Sequence, residues 1–136
     1  MSYLLDTNVI SELYKKQCNP LVRQKIDAIP EENLYISVIS LGEMWRGIKM
    51  VKEKTRFVKL LQDFNAVTVW FAKRTLPVDY TIMLEWGEMC AKQKRTLSVL
   101  DSLLAATARA HRLILLTRNA RDFQGLDVNV LDPWKD

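Results

Sequence analysis

Histidine is almost missing from this chain: His111 is the single one among 136 residues. That scarcity removes the HExxH metalloprotease pattern and any chemistry that needs two imidazoles. Cys18 and Cys90 lie far apart and in no CxxC pair, so zinc and disulfide frameworks are both unsupported and the two are read as reduced thiols. No GxSxG turn is present to carry a serine nucleophile. No apolar run approaches membrane-spanning length, and Asp6 interrupts the N-terminus before the hydrophobic stretch of a signal peptide can build. The expectation is a cytoplasmic protein with no membrane partner. Linkers, internal repeats and low-complexity segments are lacking too, so whatever chemistry the chain performs falls to its carboxylates.

What is present fits one domain over residues 1–136: 49% hydrophobic and 26% charged content, enough for a single core of two or three layers. The formal charge of +4 is a moderate basic bias that favours polyanionic partners. Tyr3-Leu4-Leu5 reads as a short buried strand, with Asp6-Thr7-Asn8 as turn and N-cap before a helix over roughly 9–16. Asn19-Pro20 predicts a second helix to about Ile29, stopped near Pro30. Leu34-Tyr35-Ile36 predicts a strand, then a helix capped by Ser37 or Ser40, on which Ser40, Glu43, Met44 and Gly47 share a face. Its exposed continuation carries Lys49, Lys52, Arg56 and Lys59, and a further helical stretch reaches about Lys73 before Pro77 breaks it. Asp79 caps a long helix to about Arg95, with Ile82, Trp86, Met89 and Cys90 on its apolar stripe. Asp101 opens another, lined by Leu100, Leu104, Ala108 and His111. Leu113 to Leu116 is the clearest buried strand, and Asp127 to Leu131 holds a last short one. Alternating strands and helices predict an α/β fold: a three-layer sandwich whose central, mainly parallel sheet of four or five strands is flanked by helices.

In a parallel sheet the residues after each strand gather at the carboxyl edge, where the crossover helices also begin. Asp6 follows the first strand, Glu43 lies early in the helix after the second, Asp101 starts the helix leading to the third, and Asp122 follows the Thr117-Arg118-Asn119 turn. All four should face one crevice. Four converging carboxylates repel one another and must share protons or take up cations. Hard oxygen ligands without imidazole or thiolate suit Mg²⁺ or Mn²⁺. The natural chemistry of such a site is hydrolysis of a phosphodiester by a metal-activated water.

Four runs of sequence resemble PIN-domain ribonuclease toxins of the VapC and FitB-like group. Leu4-Leu5-Asp6-Thr7-Asn8-Val9-Ile10-Ser11-Glu12 is similar to their opening strand and helix, and Gly42-Glu43 through Gly47-Ile48 to their second motif. Asp101 through Ala108 is similar to the third, Leu116 through Phe123 to the fourth, and Leu131-Asp132-Pro133-Trp134 to the FitB-like ending. Leu97 stands where many relatives have proline. The resemblance spans residues 4–134. It implies Asp6, Glu43, Asp101 and Asp122 as catalytic, metal-site carboxylates, with Thr7, Asn8, Thr117 and Asn119 in support. It also implies an RNA substrate cut to 3′-hydroxyl and 5′-phosphate ends, a homodimer, and silencing by a VapB-like antitoxin in a heterotetramer or larger type II toxin-antitoxin complex.

Each acid also has an ordinary reading. Asp6 and Asp101 could be helix caps, Glu43 a solvated side chain and Asp122 a loop charge. Arg46 could touch a substrate phosphate or pair with a carboxylate. The basic stripe could guide RNA or simply be solvated, and the tryptophans at 45, 70, 86 and 134 suit core or dimer contacts better than base stacking. His111 suits a structural role. Two other functions remain open: a PIN fold kept as a non-catalytic RNA- or protein-binding module, and an aspartyl-nucleophile phosphatase, which ordinarily has a second acid where this chain has Asn8.

Overall fold

The computed structural model describes residues 1–135. Five strands, β1 (Tyr3–Leu5), β2 (Leu34–Ser37), β3 (Thr75–Leu76), β4 (Ile114–Leu116) and β5 (Val130–Leu131), form a sheet in the order β3-β2-β1-β4-β5. Every neighbouring pair is parallel. Starting from β1, the chain winds outward through β2 and β3, then returns to the other side of β1 for β4 and β5. The direction of winding therefore reverses between β1 and β4, the place where a parallel sheet opens a crevice at its carboxyl edge.

Alternation along the strands builds three layers. Leu4 and Leu115 face a cluster with Leu104, Ala105, Ala108, Ile82, Met89 and Phe123. Leu5, Leu116 and Ile36 face the opposite cluster, with Val9, Ile10, Val22, Ile26, Val67 and Phe71. The first layer is built on α5 (Tyr80–Ala91) and α6 (Val99–Ala110). The second draws on α1 (Thr7–Leu13), α2 (Pro20–Asp27) and α4 (Lys54–Trp70). Because successive side chains of a strand point to opposite faces, two adjacent leucines per strand supply both cores. This is the sandwich expected, with five strands.

Local signals place the helices that carry the site. The Asn19 side chain accepts from the N–H groups of Leu21 and Val22, and Pro20 follows at the first helical position. Ser37, not Ser40, caps α3 (Val38–Met50) through the N–H of Ile39. Ser40 is buried within that helix.

Three expectations fail in detail, and one strand goes unforeseen. The basic stripe is not one helical face, because α3 ends at Met50, Val51 is extended, and Glu53 caps α4 by accepting from the N–H groups of Thr55 and Arg56. No glycine or proline marks that break. Lys49 lies over the Trp45 ring, and Lys59 is bound to Asp63 and the Tyr14 carbonyl. Strand β3 has only two residues before Pro77, too few to show a period. It is held by Arg74, whose guanidinium donates to the carbonyls of Glu31, Leu34 and Trp70. Helix α5 stops at Ala91, short of Arg95. His111 is an exposed C-cap of α6, not the end of a buried stripe.

Candidate active site

Asp6 stands at the reversal point. Its N–H donates to the Leu116 carbonyl at 2.9 Å, which ties the end of β1 to the end of β4. The side chain caps α1, with Oδ1 accepting from the Thr7 N–H at 2.7 Å. Oδ2 accepts from the Thr117 hydroxyl at 2.7 Å and the Asn8 amide at 3.4 Å. The cap and the site are therefore one residue, so the two readings of Asp6 do not compete.

The polar neighbours hold this acid in place. Thr117 Oγ1, fully buried, accepts from the N–H of Asn119 at 3.1 Å while donating to Asp6. Asn8 Oδ1 accepts from the Arg118 N–H at 3.2 Å, linking α1 to the turn after β4. Thr7 Oγ1 lies 2.6 Å from Glu43 Oε1 and 3.0 Å from Ser40 Oγ; having one proton, it donates to the carboxylate and accepts from the serine. Thr7, Asn8 and Thr117 thus hydrogen-bond to Asp6 or Glu43, and Asn119 contributes its main-chain N–H to Thr117. Asn8, at the position of a phosphatase's second acid, is a donor to Asp6.

Asp101 is on α6, in its first turn but not at its start. Ser98 is the N-cap and accepts from the Asp101 N–H at 3.4 Å, an S-x-x-D pattern that is visible in the sequence. Asp122 is exposed in the 3₁₀ turn Ala120–Phe123. Glu43 is half-buried on α3.

Asp6 and Asp101 sense the acids around them. Burial is the main cause that pushes the Asp6 carboxyl above its ordinary range, against the pull of the Thr117 hydroxyl and Thr7 N–H, and the Glu43 and Asp122 carboxylates push it further. Burial likewise raises Asp101, with Asp6 and Asp122 adding repulsion. None of the four takes part in an ion pair among the described residues. Arg46 is exposed one turn beyond Glu43 and pairs with no carboxylate there either.

Among the described residues the groups around Asp6, Glu43, Asp101 and Asp122 include no imidazole or thiolate, which fits a hard divalent cation. No three of the described acids are drawn tightly enough to make a closed cage of protein ligands. An ion of the Mg²⁺ kind takes one or two carboxylates directly and keeps several waters, so spaced acids suit it better than they suit a fully dehydrated ion.

Different hollows flank the acids. A pocket of about 230 Å³ is lined by Arg95, Thr96, Leu97, Ser98, Asp101 and Asp122, among others. On the Glu43 side a hollow of about 240 Å³ is lined by apolar Ile10, Met44, Ile48 and Leu60 and by Glu43, Arg56 and Asp63, among others.

With this arrangement in view, a family model described as PIN domain matches residues 3–129. The chain belongs to the PIN-domain family. The toxin FitB of Neisseria gonorrhoeae is 32% identical over 139 aligned residues, covering 98% of this chain and 99% of FitB. The VapC ribonuclease Y4jK of Sinorhizobium fredii is 33% identical, covering 97% of each chain. A chain in the crystal structure of FitAcB from Neisseria gonorrhoeae superposes with a TM-score of 0.91 at 30% identity, covering 98% of this chain and 99% of that one. Within this PIN fold, Leu97, at the position often held by proline, packs half-buried against the core. Sequence reasoning passed over Ser98 as the cap of α6 and Arg95 in the pocket wall. It also passed over Glu12, a buried acid of α1 that is no part of the crevice.

Proposed function

We propose that residues 1–136 act as one PIN domain, a divalent-metal-dependent endoribonuclease serving as the toxin of a type II toxin-antitoxin pair. The observation that carries this reading is that Thr7 joins Asp6 and Glu43 at the sheet's reversal point, with Asp101 and Asp122 near enough to add repulsion and none of the four in an ion pair among the described residues. Relatives named as a VapC ribonuclease and a toxin support the substrate class. Solved complexes such as FitAB bound to a DNA fragment, 30% identical, support an antitoxin partner. A homodimer, silenced in a heterotetramer or larger assembly with a VapB-like antitoxin, follows from the same resemblance, as does a cytoplasmic location. No helix among the described residues is long and apolar enough to cross a membrane.

In this reading Asp6, Glu43, Asp101 and Asp122 hold Mg²⁺ or Mn²⁺. When bound, the ion supplies activation of the attacking water and charge stabilisation of the leaving oxygen. Thr117, Asn8 and the Thr7 N–H keep Asp6 oriented, and the Thr7 hydroxyl keeps Glu43 turned toward it. Arg46, free of carboxylates, is available to a substrate phosphate on the Glu43 side.

The test is incubation of the purified protein with total RNA in Mg²⁺ or Mn²⁺, with EDTA and Asp6→Asn as controls and fragment ends read by sequencing. Discrete cuts with 3′-hydroxyl and 5′-phosphate ends, lost in both controls, are expected. Cutting that survives either control overturns the assignment of the acids. RNA binding without cutting by antitoxin-free protein moves the reading to a non-catalytic module.

A further inference from the structure

The loop between α5 and α6 is stapled to the turn that follows Asp122. Gln93 Nε2 donates to the Gly125 carbonyl at 3.0 Å, and Arg95 Nη2 donates to the Gln124 carbonyl at 2.8 Å. Gly125 has φ +81°, a left-handed conformation that glycine adopts without strain, so the turn presents two consecutive carbonyls to the loop. Arg95 therefore has a fixed place in the wall of the pocket it shares with Asp101 and Asp122.

Its guanidinium has five donors, and one anchors it to the turn. It forms no ion pair with either aspartate or with any other carboxylate among the described residues. Three other arginines are engaged elsewhere: Arg118 lies over the Trp134 ring, Arg109 pairs with Glu85, and Arg74 clamps β3. An exposed guanidinium anchored through one nitrogen, and in no ion pair among the described residues though it shares a pocket with two acids, has the rest of its planar fork free for an anion from solution.

We propose that Arg95 is the phosphate-binding residue on the open side of the pit, taking a non-bridging oxygen of the RNA backbone as the strand passes Asp101 and Asp122. This rests on the ribonuclease reading above. It gives the crevice a phosphate contact on the Asp101 and Asp122 side, to set beside Arg46 on the Glu43 side.

Wild type, Arg95→Gln, Arg95→Lys and Gln93→Ala are compared for binding of a short labelled single-stranded RNA in Ca²⁺ by fluorescence anisotropy, at several NaCl concentrations. Cleavage of the same RNA in Mg²⁺ and thermal melting are recorded for each. Arg95→Gln removes the charge and keeps a polar side chain at an exposed position. It is expected to melt with wild type, bind RNA about tenfold more weakly and show a log-log salt slope shallower by about 0.7. Arg95→Lys restores most of the affinity, and Gln93→Ala, which cuts the neighbouring staple and leaves the charge, binds as wild type does. Equal affinity and salt slope for wild type and Arg95→Gln overturn the proposal. So does a loss for Gln93→Ala equal to that for Arg95→Gln, which makes Arg95 a staple and no more. Wild type that fails to cut RNA sinks the ribonuclease reading, whereas wild type that cuts beside an unimpaired Arg95→Gln sinks the Arg95 assignment alone.

Discussion

Helix α1 carries a buried acid at each end, and the two are treated oppositely. Glu12 is 5% exposed, and its carboxylate is answered: Oε2 accepts from the Asn19 N–H at 2.8 Å and Oε1 from the Lys15 ammonium at 3.0 Å. The Asn19 N–H, then Lys15, hold its pKa below the ordinary range despite burial. Asp6 is 7% exposed and also hydrogen-bonded, yet burial lifts its pKa, and the carboxylates facing it are of its own sign. Residue chemistry, helix and exposure are nearly matched, so none of them separates the structural acid from the candidate catalytic one. What separates them is whether the fold supplies the opposite charge. Charge left unbalanced at Asp6 is charge that something bound must balance.

The largest effects should therefore follow from touching the unbalanced acids. Asp6→Asn and Asp101→Asn are each expected to lower RNA cleavage by about a thousandfold or more, and EDTA should do the same to wild type. Single-turnover cleavage of a defined RNA measures this. Glu12→Ala, assayed per folded molecule, should cut at the wild-type rate, and a matching loss there would erase the distinction between the two ends of α1.

A smaller effect belongs to the groups that hold Asp6. Thr117→Val removes the hydroxyl from Oδ2 with little change in shape, and cleavage should fall about 10- to 100-fold with the Mg²⁺ requirement raised. A titration of rate against Mg²⁺ checks it. Full activity in Thr117→Val would mean that burial alone orients the carboxylate.

The site was more legible in the sequence than the layout of the helices around it. Asp6, Asp101 and Asp122 could be placed because a parallel sheet sends the end of every strand to one edge, and strands such as Leu113 to Leu116 announce themselves by composition. Thr117 and Asn8 emerged only with the family resemblance, since a hydroxyl that bridges residues 111 positions apart leaves no periodic trace. The break at Val51 was invisible because Glu53 is an uncommon cap and no glycine or proline lies between Ile48 and Glu53. Arg95 was unreadable for another reason: its meeting with the Gln124 carbonyl is set by the path of two loops. Glu12 looked like any helix acid until the Asn19 N–H was seen to meet it.

A third effect is on stability. Glu12→Ala leaves the Asn19 N–H without its charged acceptor at the join between α1 and α2, so the folded state should lose about 1–3 kcal/mol, measured by urea unfolding at neutral pH. Asp101→Asn should shift the metal-free protein the other way, raising its melting temperature, because it removes a partly buried charge that Asp6 and Asp122 repel. A loss of stability in Asp101→Asn would show that the open side of the pit is balanced after all.

The smallest and sharpest expectation is the pH dependence of those two shifts. Glu12 has a depressed folded pKa, so its contribution is complete above the unfolded value of about 4.3 and is lost as pH falls through the folded value. The deficit of Glu12→Ala should shrink in acid. Asp6 and Asp101 have raised folded pKa values, so the stability they lend the metal-free protein is complete below the unfolded value of about 3.9 and is lost as pH rises through the folded one. The advantage of Asp101→Asn should be absent in acid and grow toward neutrality. Melting curves of wild type and both variants in EDTA, from about pH 3 to pH 7, show the two differences opening together in size and opposite in sign. With Mg²⁺ added the Asp101→Asn advantage should reverse, since the ion stabilises only the form that can bind it. If Mg²⁺ leaves that advantage unchanged, Asp101 is a strained acid with no cation to serve, and the contrast with Glu12 loses its functional meaning.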